Sequence, residues 1–169
     1  MHVTLSEVSA ADKSVLRQLM ELYCYDFSEY DGLDVNAHGF YGYEYFDHYW
    51  IEAGRQPFFI KVDGNLAGFV LVSDYCHELV AEGSARSISE FFVMRKYRRR
   101  GVGRIAARAA FDRFPGRWVV IQYKSNVPSL HFWERVIGEY TGGRFEKRDT
   151  MLEDQGKLWE CQALIFETP

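Results

Sequence analysis

The sequence holds no uninterrupted apolar run of the roughly 18 residues that a membrane-spanning helix needs. Its three cysteines, Cys24, Cys76 and Cys161, are odd in number and far apart. That argues against a disulfide framework and a clustered metal site, and suggests a reducing cytoplasm. Met1 to Ala11 lacks the basic start and apolar stretch of a secretory signal. There is no repeat, no low-complexity segment and no Pro/Ser-rich linker. Net charge is only −4, which speaks against general nucleic-acid binding. What is present is 169 residues, 47% hydrophobic and 17% aromatic, enough for a single packed domain spanning 1–169.

The charges are unevenly placed. Between Arg17 and Arg55 there is no Lys or Arg, yet that stretch holds Glu21, Asp26, Glu29, Asp31, Asp34, Glu44, Asp47 and Glu52. Aromatic residues crowd the same stretch, from Tyr23 and Tyr25 through Phe40 and Tyr43 to Tyr49 and Trp50. Further on, Arg95, Lys96, Arg98, Arg99, Arg100, Arg104 and Arg108 fall close together. One region attracts cations and the other anions.

Periodicity orders the elements. His2–Val8 alternates as a strand, and Ser9 with Asp12 forms a capping box ahead of Val15, Leu16, Leu19, Met20 and Tyr23 at helical spacing. Residues 25–50 read as mixed loop and helix without clear boundaries. Pro57–Val62 and Leu66–Ser73 flank Asp63-Gly64-Asn65, a hairpin signal. Ser87–Met94 reads as a strand and Gly101–Phe114 as a helix stopped by Pro115-Gly116. Arg117–Tyr123 has the apolar run of a buried strand. Ser129–Tyr140 is a helix with Leu130, Trp133, Val136 and Ile137 on one face, ended by Thr141-Gly142-Gly143. Arg144–Met151 and Lys157–Phe166 form a closing antiparallel pair. The order predicts an α/β protein of the α+β type: a mixed, mostly antiparallel sheet of six or seven strands flanked by helices. The strands at 87–94 and 117–123 are joined by a helix, so they should be parallel neighbours.

The segment Arg98-Arg99-Arg100-Gly101-Val102-Gly103-Arg104 runs from a strand into a helix start. Glycines there leave backbone N–H groups uncovered, and those groups with the helix dipole hold a phosphate or pyrophosphate. The surrounding arginines neutralise its charge. The plainer alternative is a solvated basic face with two turn glycines. Gly101-Val-Gly103-Arg-Ile-Ala106 also fits the dinucleotide fingerprint of an NAD(P) oxidoreductase. Against it, a basic loop intervenes after the strand, a meander precedes it, and the next strand ends Gln122-Tyr123-Lys124 with no acidic residue for a ribose. There is no Walker A sequence. His77-Glu78 lacks the second histidine of a zinc motif, and Asp31-Gly32-Leu33-Asp34 departs from the calcium-loop spacing.

The motif resembles the Arg/Gln-x-x-Gly-x-Gly/Ala signature of the GNAT superfamily of acyl-CoA N-acyltransferases. Phe91-Phe92-Val93 is similar to that family's fourth strand. Asn126-Val-Pro-Ser129-Leu-His-Phe132-Trp133 resembles its Asn-x-x-Ala/Ser-x-x-Phe-Tyr block. The resemblance implies a sheet whose central parallel pair splays, with the thioester of acetyl-CoA in the gap. By the same resemblance, backbone groups of Phe91, Phe92 and Val93 pair with the pantetheine arm. Arg98 opens the loop, and the N–H groups of Arg99, Arg100, Gly101, Val102, Gly103 and Arg104 hold the pyrophosphate. Asn126 bonds the pantetheine arm, flanked by Ser129 and Phe132. Core packing is the other reading of Phe91, Phe92 and Phe132.

The implied reaction is direct acetyl transfer to an amine, with no acyl-enzyme and no metal. The Val93 N–H is the candidate oxyanion donor, and Glu90, the nearest carboxylate, is the candidate base, directly or through water. Glu90 reads equally as an exposed or ion-paired strand residue. Ser89 stands where polyamine enzymes carry a carboxylate. Trp133 replaces the tyrosine that serves relatives as general acid, and an indole N–H does not give up its proton. Either Tyr123 or Tyr140 serves instead, or the thiolate leaves unassisted. The cysteines read as small core residues. The acidic, aromatic stretch predicts a cationic amine acceptor of polyamine, aminoglycoside or lysine type, although its aromatics are as readily core. A non-catalytic acyl-CoA sensor remains the alternative that Trp133 suggests. Nucleic acid and membrane are not expected partners; a homodimer is permitted.

Overall fold

The computed structural model describes residues 1–75, 79–80 and 84–169, with only the backbone of Tyr75. Cys76 and the His77-Glu78 pair lie outside the described residues. Among the described residues, seven strands run in the order β1-β2-β3-β4-β5-β7-β6. They are β1 Val3–Glu7, β2 Arg55–Val62, β3 Asn65–Tyr75, β4 Ala85–Val93, β5 Arg117–Tyr123, β6 Glu146–Asp154 and β7 Lys157–Glu167. The described residues also form four α-helices: α1 Lys13–Asp31, α2 His48–Ile51, α3 Val102–Arg113 and α4 Val127–Thr141. The mixed sheet matches the expectation from element order. β4 and β5 are parallel, in register at Arg86 and Trp118, as a strand–helix–strand connection through α3 requires. β5 and β7 are antiparallel from Arg117↔Glu167 to Tyr123↔Cys161, and β6 pairs β7 from Glu146↔Ile165 to Asp154↔Lys157.

The chain forms two compact units. One comprises Met1–Leu71 with Glu90–Ala106, the other Val72–Ser89 with Ala107–Pro169.

In the first unit β1 and β2 are antiparallel, Val3 opposite Val62. Asp63 and Gly64 both have positive φ, 48° and 82°, the backbone of a two-residue turn whose twist suits a hairpin. Leu16, Leu19 and Met20 on one face of α1 are buried against Phe59, Phe69, Leu71 and Phe92. The helix continues eight residues past Tyr23, the last residue of its apolar spacing. Tyr23, Phe27 and Tyr30, at i, i+4 and i+7, pack along one side with tilted rings whose centres are 5.6 and 5.7 Å apart, and extend it. Gly32, left-handed at φ 72°, ends it. The proposed capping box takes a different form. Ser9 Oγ donates to Asp12 Oδ2 at 2.8 Å, and a 3-10 turn at Ala10–Asp12 precedes the helix.

In the second unit Trp118, Val119 and Val120 of β5 are buried, as their apolar run predicts. Phe111 of α3 packs edge-on to Trp118 and Phe166, each at 5.0 Å. Trp133, Val136 and Ile137 of α4 are buried, and left-handed Gly142 ends that helix. The β6–β7 turn is tighter than the polar run around it suggests. Only Gln155 and Gly156 form it, both with positive φ.

Candidate active site

The basic segment joins a strand to a helix, as the order of elements predicts, with Gly101 before the helix and Gly103 within it. β4 ends at Val93, a 3-10 turn covers Arg95–Tyr97, and α3 opens at Val102. Arg99 and Gly101 are both left-handed, φ 58° and 79°. A non-glycine residue in that region is uncommon and carries some strain. Val102 is buried and anchors the helix start, while Arg99 and Arg100 are exposed. The first amides of a helix have no intrahelical acceptor, so this turn has donors and positive charge to offer an anion.

Arg98 is exposed too, but its side chain is engaged by the protein. Its Nε donates to the Val93 carbonyl at 2.6 Å, its Nη2 bonds Asp26, and its guanidinium lies 5.7 Å from the Phe92 ring centre. Arg95 holds the other Asp26 oxygen at 2.8 Å. Burial pushes the Asp26 carboxyl up, but hydrogen bonds from Arg98 and then Arg95 outweigh it and leave it below the ordinary value.

Glu90 is held between two phenols. The Tyr23 hydroxyl donates to Glu90 Oε2, and the Tyr43 hydroxyl to Oε1 at 2.9 Å. Burial and then the Glu90 charge raise the Tyr43 hydroxyl far above its usual range, so it stays a donor. The loop carrying Tyr43 is strapped to α1 by Glu21, which accepts from the Tyr41 and Gly42 amides at 2.8 and 2.9 Å. Cys24 is half-buried nearby. Burial, then the charges of Glu90, Glu21 and Asp31, push its thiol up to about 12.

β3 approaches β4 closely at Gly68. A Cβ there would lie 1.9 Å from the Phe92 carbonyl oxygen. The Met94 amide donates to the Ala67 carbonyl at 2.8 Å. The Phe92 side chain is buried in the first unit's core beside Phe69 and Tyr23.

In the second unit Asn126 caps α4, its Oδ1 accepting from the Ser129 amide at 3.1 Å. Ser129 and Phe132 are half-buried, and Trp133 is buried against Phe132 and Phe111. The Tyr140 hydroxyl donates to Asp112 Oδ1 at 2.7 Å. Burial first, and then Asp112, holds its proton more tightly than a free phenol would. Tyr123 donates to Asp154 at 3.2 Å and stacks on Trp159. Ser89 Oγ contacts Ser73 Oγ at 2.6 Å.

The first unit thus holds Glu90, Phe91, Phe92, Val93 and Arg98 to Arg104 on one continuous stretch of chain. The second holds Asn126, Ser129, Phe132 and Tyr140. Sequence reasoning missed Tyr23, Tyr43 and Asp26 as partners of this stretch. It also passed over Gly68, although a lone glycine in an apolar strand signals a close backbone approach. The acidic stretch is less negative than it reads. Asp26 faces Arg95 and Arg98, Asp47 faces Lys13, and Glu52 faces Arg55. Phe46 and Tyr49 of the aromatic stretch are core, whereas Tyr25, Phe40 and Tyr45 are exposed. Among the described residues, no group of three or more His, Cys, Asp or Glu is placed to hold a metal ion. None of the described helices is long and apolar enough to cross a membrane.

Residues 16–138 match the model of the Acetyltransferase (GNAT) family. Aminoglycoside acetyltransferase AAC(6')-Ib in complex with coenzyme A is similar in fold, with a TM-score of 0.68 at 14% identity over 98% of this chain and 95% of that one. Spermidine N-acetyltransferase from Vibrio cholerae, in complex with CoA and spermine, aligns with a TM-score of 0.65 at 14% identity over 98% and 95%. Arabidopsis thaliana NAA60 in complex with acetyl-CoA aligns with a TM-score of 0.62 at 13% identity over 98% of both chains. No curated protein matches the chain in sequence.

Proposed function

Because the chain belongs to the Acetyltransferase (GNAT) family, we propose that it transfers an acetyl group from acetyl-CoA directly to a cationic primary amine. The observation that carries the acceptor class is Glu90, a carboxylate three residues before Val93 and flanked by the hydroxyls of Tyr23 and Tyr43. Its charge attracts an ammonium group, and phenol faces beside it add cation–π attraction. Spermidine and aminoglycosides, the acceptors named for two fold neighbours, are cationic amines of this class.

An alkylammonium ion is protonated at neutral pH and must lose a proton before it attacks. In this reading Glu90 takes that proton, directly or through a water. The amine nitrogen bonds to the thioester carbon while the Val93 N–H stabilises the developing oxyanion. The carbon–sulfur bond then breaks, coenzyme A departs as thiolate, and the second proton, lost from the new amide nitrogen, passes to that thiolate. Backbone groups of Phe91 to Val93 pair with the pantetheine arm. Amides from Arg99 to Arg104, with the exposed Arg99 and Arg100 side chains, hold the pyrophosphate. For Asn126 we propose that its amide N–H₂ meets the pantetheine arm, because its oxygen is used as the α4 cap. Ser129 and Phe132 flank it. No general acid is needed: a thiolate is a tolerable leaving group, and the Tyr140 hydroxyl is committed to Asp112. An acyl-cysteine route has little support, because thiols raised to about 12 at Cys24 and about 11 at Cys161 are almost never ionised. A cytoplasmic location fits these free thiols.

The test is thiol release from acetyl-CoA against spermidine, spermine, an aminoglycoside and a lysine derivative. Release that depends on at least one cationic amine, with Glu90→Gln slowing turnover and flattening the pH–rate curve, is the expected result. Acetyl-CoA binding without release on any amine would favour the second reading, a non-catalytic acyl-CoA sensor. Buried Trp133, standing where relatives carry tyrosine, is the observation behind that reading.

A further inference from the structure

Gly68 sits in the buried part of β3, between Ala67 and Phe69, which are both fully buried. A Cβ on Gly68 would fall 1.9 Å from the Phe92 oxygen, 2.9 Å from the Phe92 carbonyl carbon and 3.1 Å from the Val93 Cα. All three atoms belong to one peptide unit of β4. The Phe92 carbonyl therefore occupies space that the side chain of any other residue at 68 would fill. No peptide bond in the described chain is cis. In a planar trans peptide the N–H points opposite to the C=O. With the Phe92 oxygen lodged against Gly68, the Val93 N–H is aimed away from it. The backbone on the C-terminal side is pinned as well. Met94 N–H donates to Ala67 O at 2.8 Å, and Arg98 Nε donates to Val93 O at 2.6 Å.

We propose that Gly68 is a positioning residue for the acetyl thioester: by admitting the Phe92 carbonyl, it turns the Val93 N–H outward to meet the acetyl carbonyl oxygen. This rests on the acetyl-transfer reading above. The amide keeps its proton throughout. It donates a hydrogen bond to the oxygen while the carbon–nitrogen bond forms and the carbon–sulfur bond breaks; one ammonium proton goes to Glu90 and the second to the departing thiolate. A side chain at 68 would push the peptide over and re-aim the donor, even though residue 68 never touches the substrate. Glycine is needed here for close approach by another backbone, the use expected of an isolated strand glycine.

The test is Gly68→Ala in the full chain, read by kinetics and by the infrared carbonyl band of bound acetyl-CoA carrying 13C at the thioester carbonyl. Removing an oxyanion donor lowers kcat by about 100-fold or more. The expected result is a kcat loss of that order, with the KM for acetyl-CoA changing by less than about three-fold. The carbonyl band should lie at lower frequency than in free solution in the wild type and return toward the free-solution position in Gly68→Ala. Retention of both kcat and the band shift overturns the proposal. So does a kcat loss with the band unchanged, because a merely structural glycine would act that way.

Should Gly68→Ala fail to fold, the wild-type Val93 amide decides. Its 1H–15N resonance should move further with acetyl-CoA than with CoA, which shares the pantetheine arm but lacks the acetyl oxygen, and an equal response to both overturns the proposal. A wild type that shifts the band and the Val93 amide but acetylates no amine would sink the transfer reading and leave the role of Gly68 standing. A wild type that binds no acetyl-CoA sinks both.

Discussion

Arg98 gives its Nε–H to the Val93 carbonyl at 2.6 Å, so the first arginine of the basic turn grips the end of β4. It is exposed, as Arg99 and Arg100 are, but its charge is met by Asp26. The three arginines should therefore separate by kinetics. Arg98→Lys keeps the charge but loses the planar fork. It should lower kcat about ten-fold, with little change in salt dependence. Reversing Arg99 and Arg100 to Glu should raise the KM for acetyl-CoA, and more steeply at low ionic strength, where exposed charges act furthest. Steady-state kinetics at two salt concentrations checks both. Normal acetyl-CoA affinity at low salt in the reversed variant would remove the phosphate role.

Asp26 links α1 to this turn and makes a pH-dependent prediction. Burial raises its carboxyl, but Arg98 and Arg95 outweigh that and hold it below 3.8, its ordinary value. A carboxylate depressed in the folded state contributes stability that is fully present above the unfolded value and disappears as pH falls through the lower folded one. Asp26→Asn should thus be less stable than wild type at pH 7, by about 1 kcal/mol for a partly exposed charged cluster. That corresponds to a Tm lower by roughly 2–4 °C. The gap should begin to close below 3.8 and vanish once wild-type Asp26 is protonated. A gap of constant size down to acid pH would show that the ion cluster is not its source.

Much of the scaffold was legible because it rests on local rules. Asp63-Gly64 reads as a turn since few residues other than Gly, Asn and Asp adopt positive φ. β5 falls at Arg117–Tyr123 as its apolar run indicates, with Pro115-Gly116 fixing its start. The stretch 25–50 resisted reading because one residue type plays opposite parts in it. Phe46 is core and Phe40 is exposed, with no period to separate them. The surroundings of Glu90 were hidden for another reason. Tyr23 and Tyr43 lie 67 and 47 residues away in the chain, and only the fold brings them to its two oxygens.

Tyr43 and Tyr23 make separable contributions to that carboxylate. Tyr43 is held on a loop strapped by Glu21, whereas Tyr23 is part of α1. Tyr43→Phe removes one donor while leaving the ring in place, and should cut kcat/KM about ten-fold, near the free energy of a hydrogen bond to a charged group. Glu21→Gln weakens the strap and should produce part of the same loss. A Glu21→Gln, Tyr43→Phe double variant should lose less than the sum of the two free energies. Strict additivity would show that the strap does not act through Tyr43.

Cys24 is the thiol near Glu90 that an acyl-enzyme mechanism would recruit. With its thiol raised to about 12, the thiolate fraction at neutral pH is vanishing. Cys24→Ala should keep kcat within about three-fold of wild type, allowing for its packing role. The peptide containing Cys24 should resist iodoacetamide at pH 8 in the folded protein and react on unfolding, as mass spectrometry of the digests would show. Rapid alkylation with matching loss of activity would reopen the covalent route.

Tyr140 tests whether the departing thiolate is protonated by the enzyme. Its hydroxyl donates to Asp112 at 2.7 Å, and its ring packs on Phe111 at 5.2 Å with the Arg108 guanidinium 5.7 Å from its centre. Burial and Asp112 make it a weaker acid than a free phenol. A raised proton affinity suits a structural donor better than an acid that must deliver its proton on every turnover. Tyr140→Phe should therefore destabilise the fold by about 1 kcal/mol, the net value of one hydrogen bond, with Asp112 on the surface able to turn to water. Its kcat should change by less than two- or three-fold, with the alkaline limb of the pH–rate curve unmoved. A hundred-fold fall in kcat at unchanged stability, together with loss of that limb, would instead identify Tyr140 as the general acid that Trp133 cannot be.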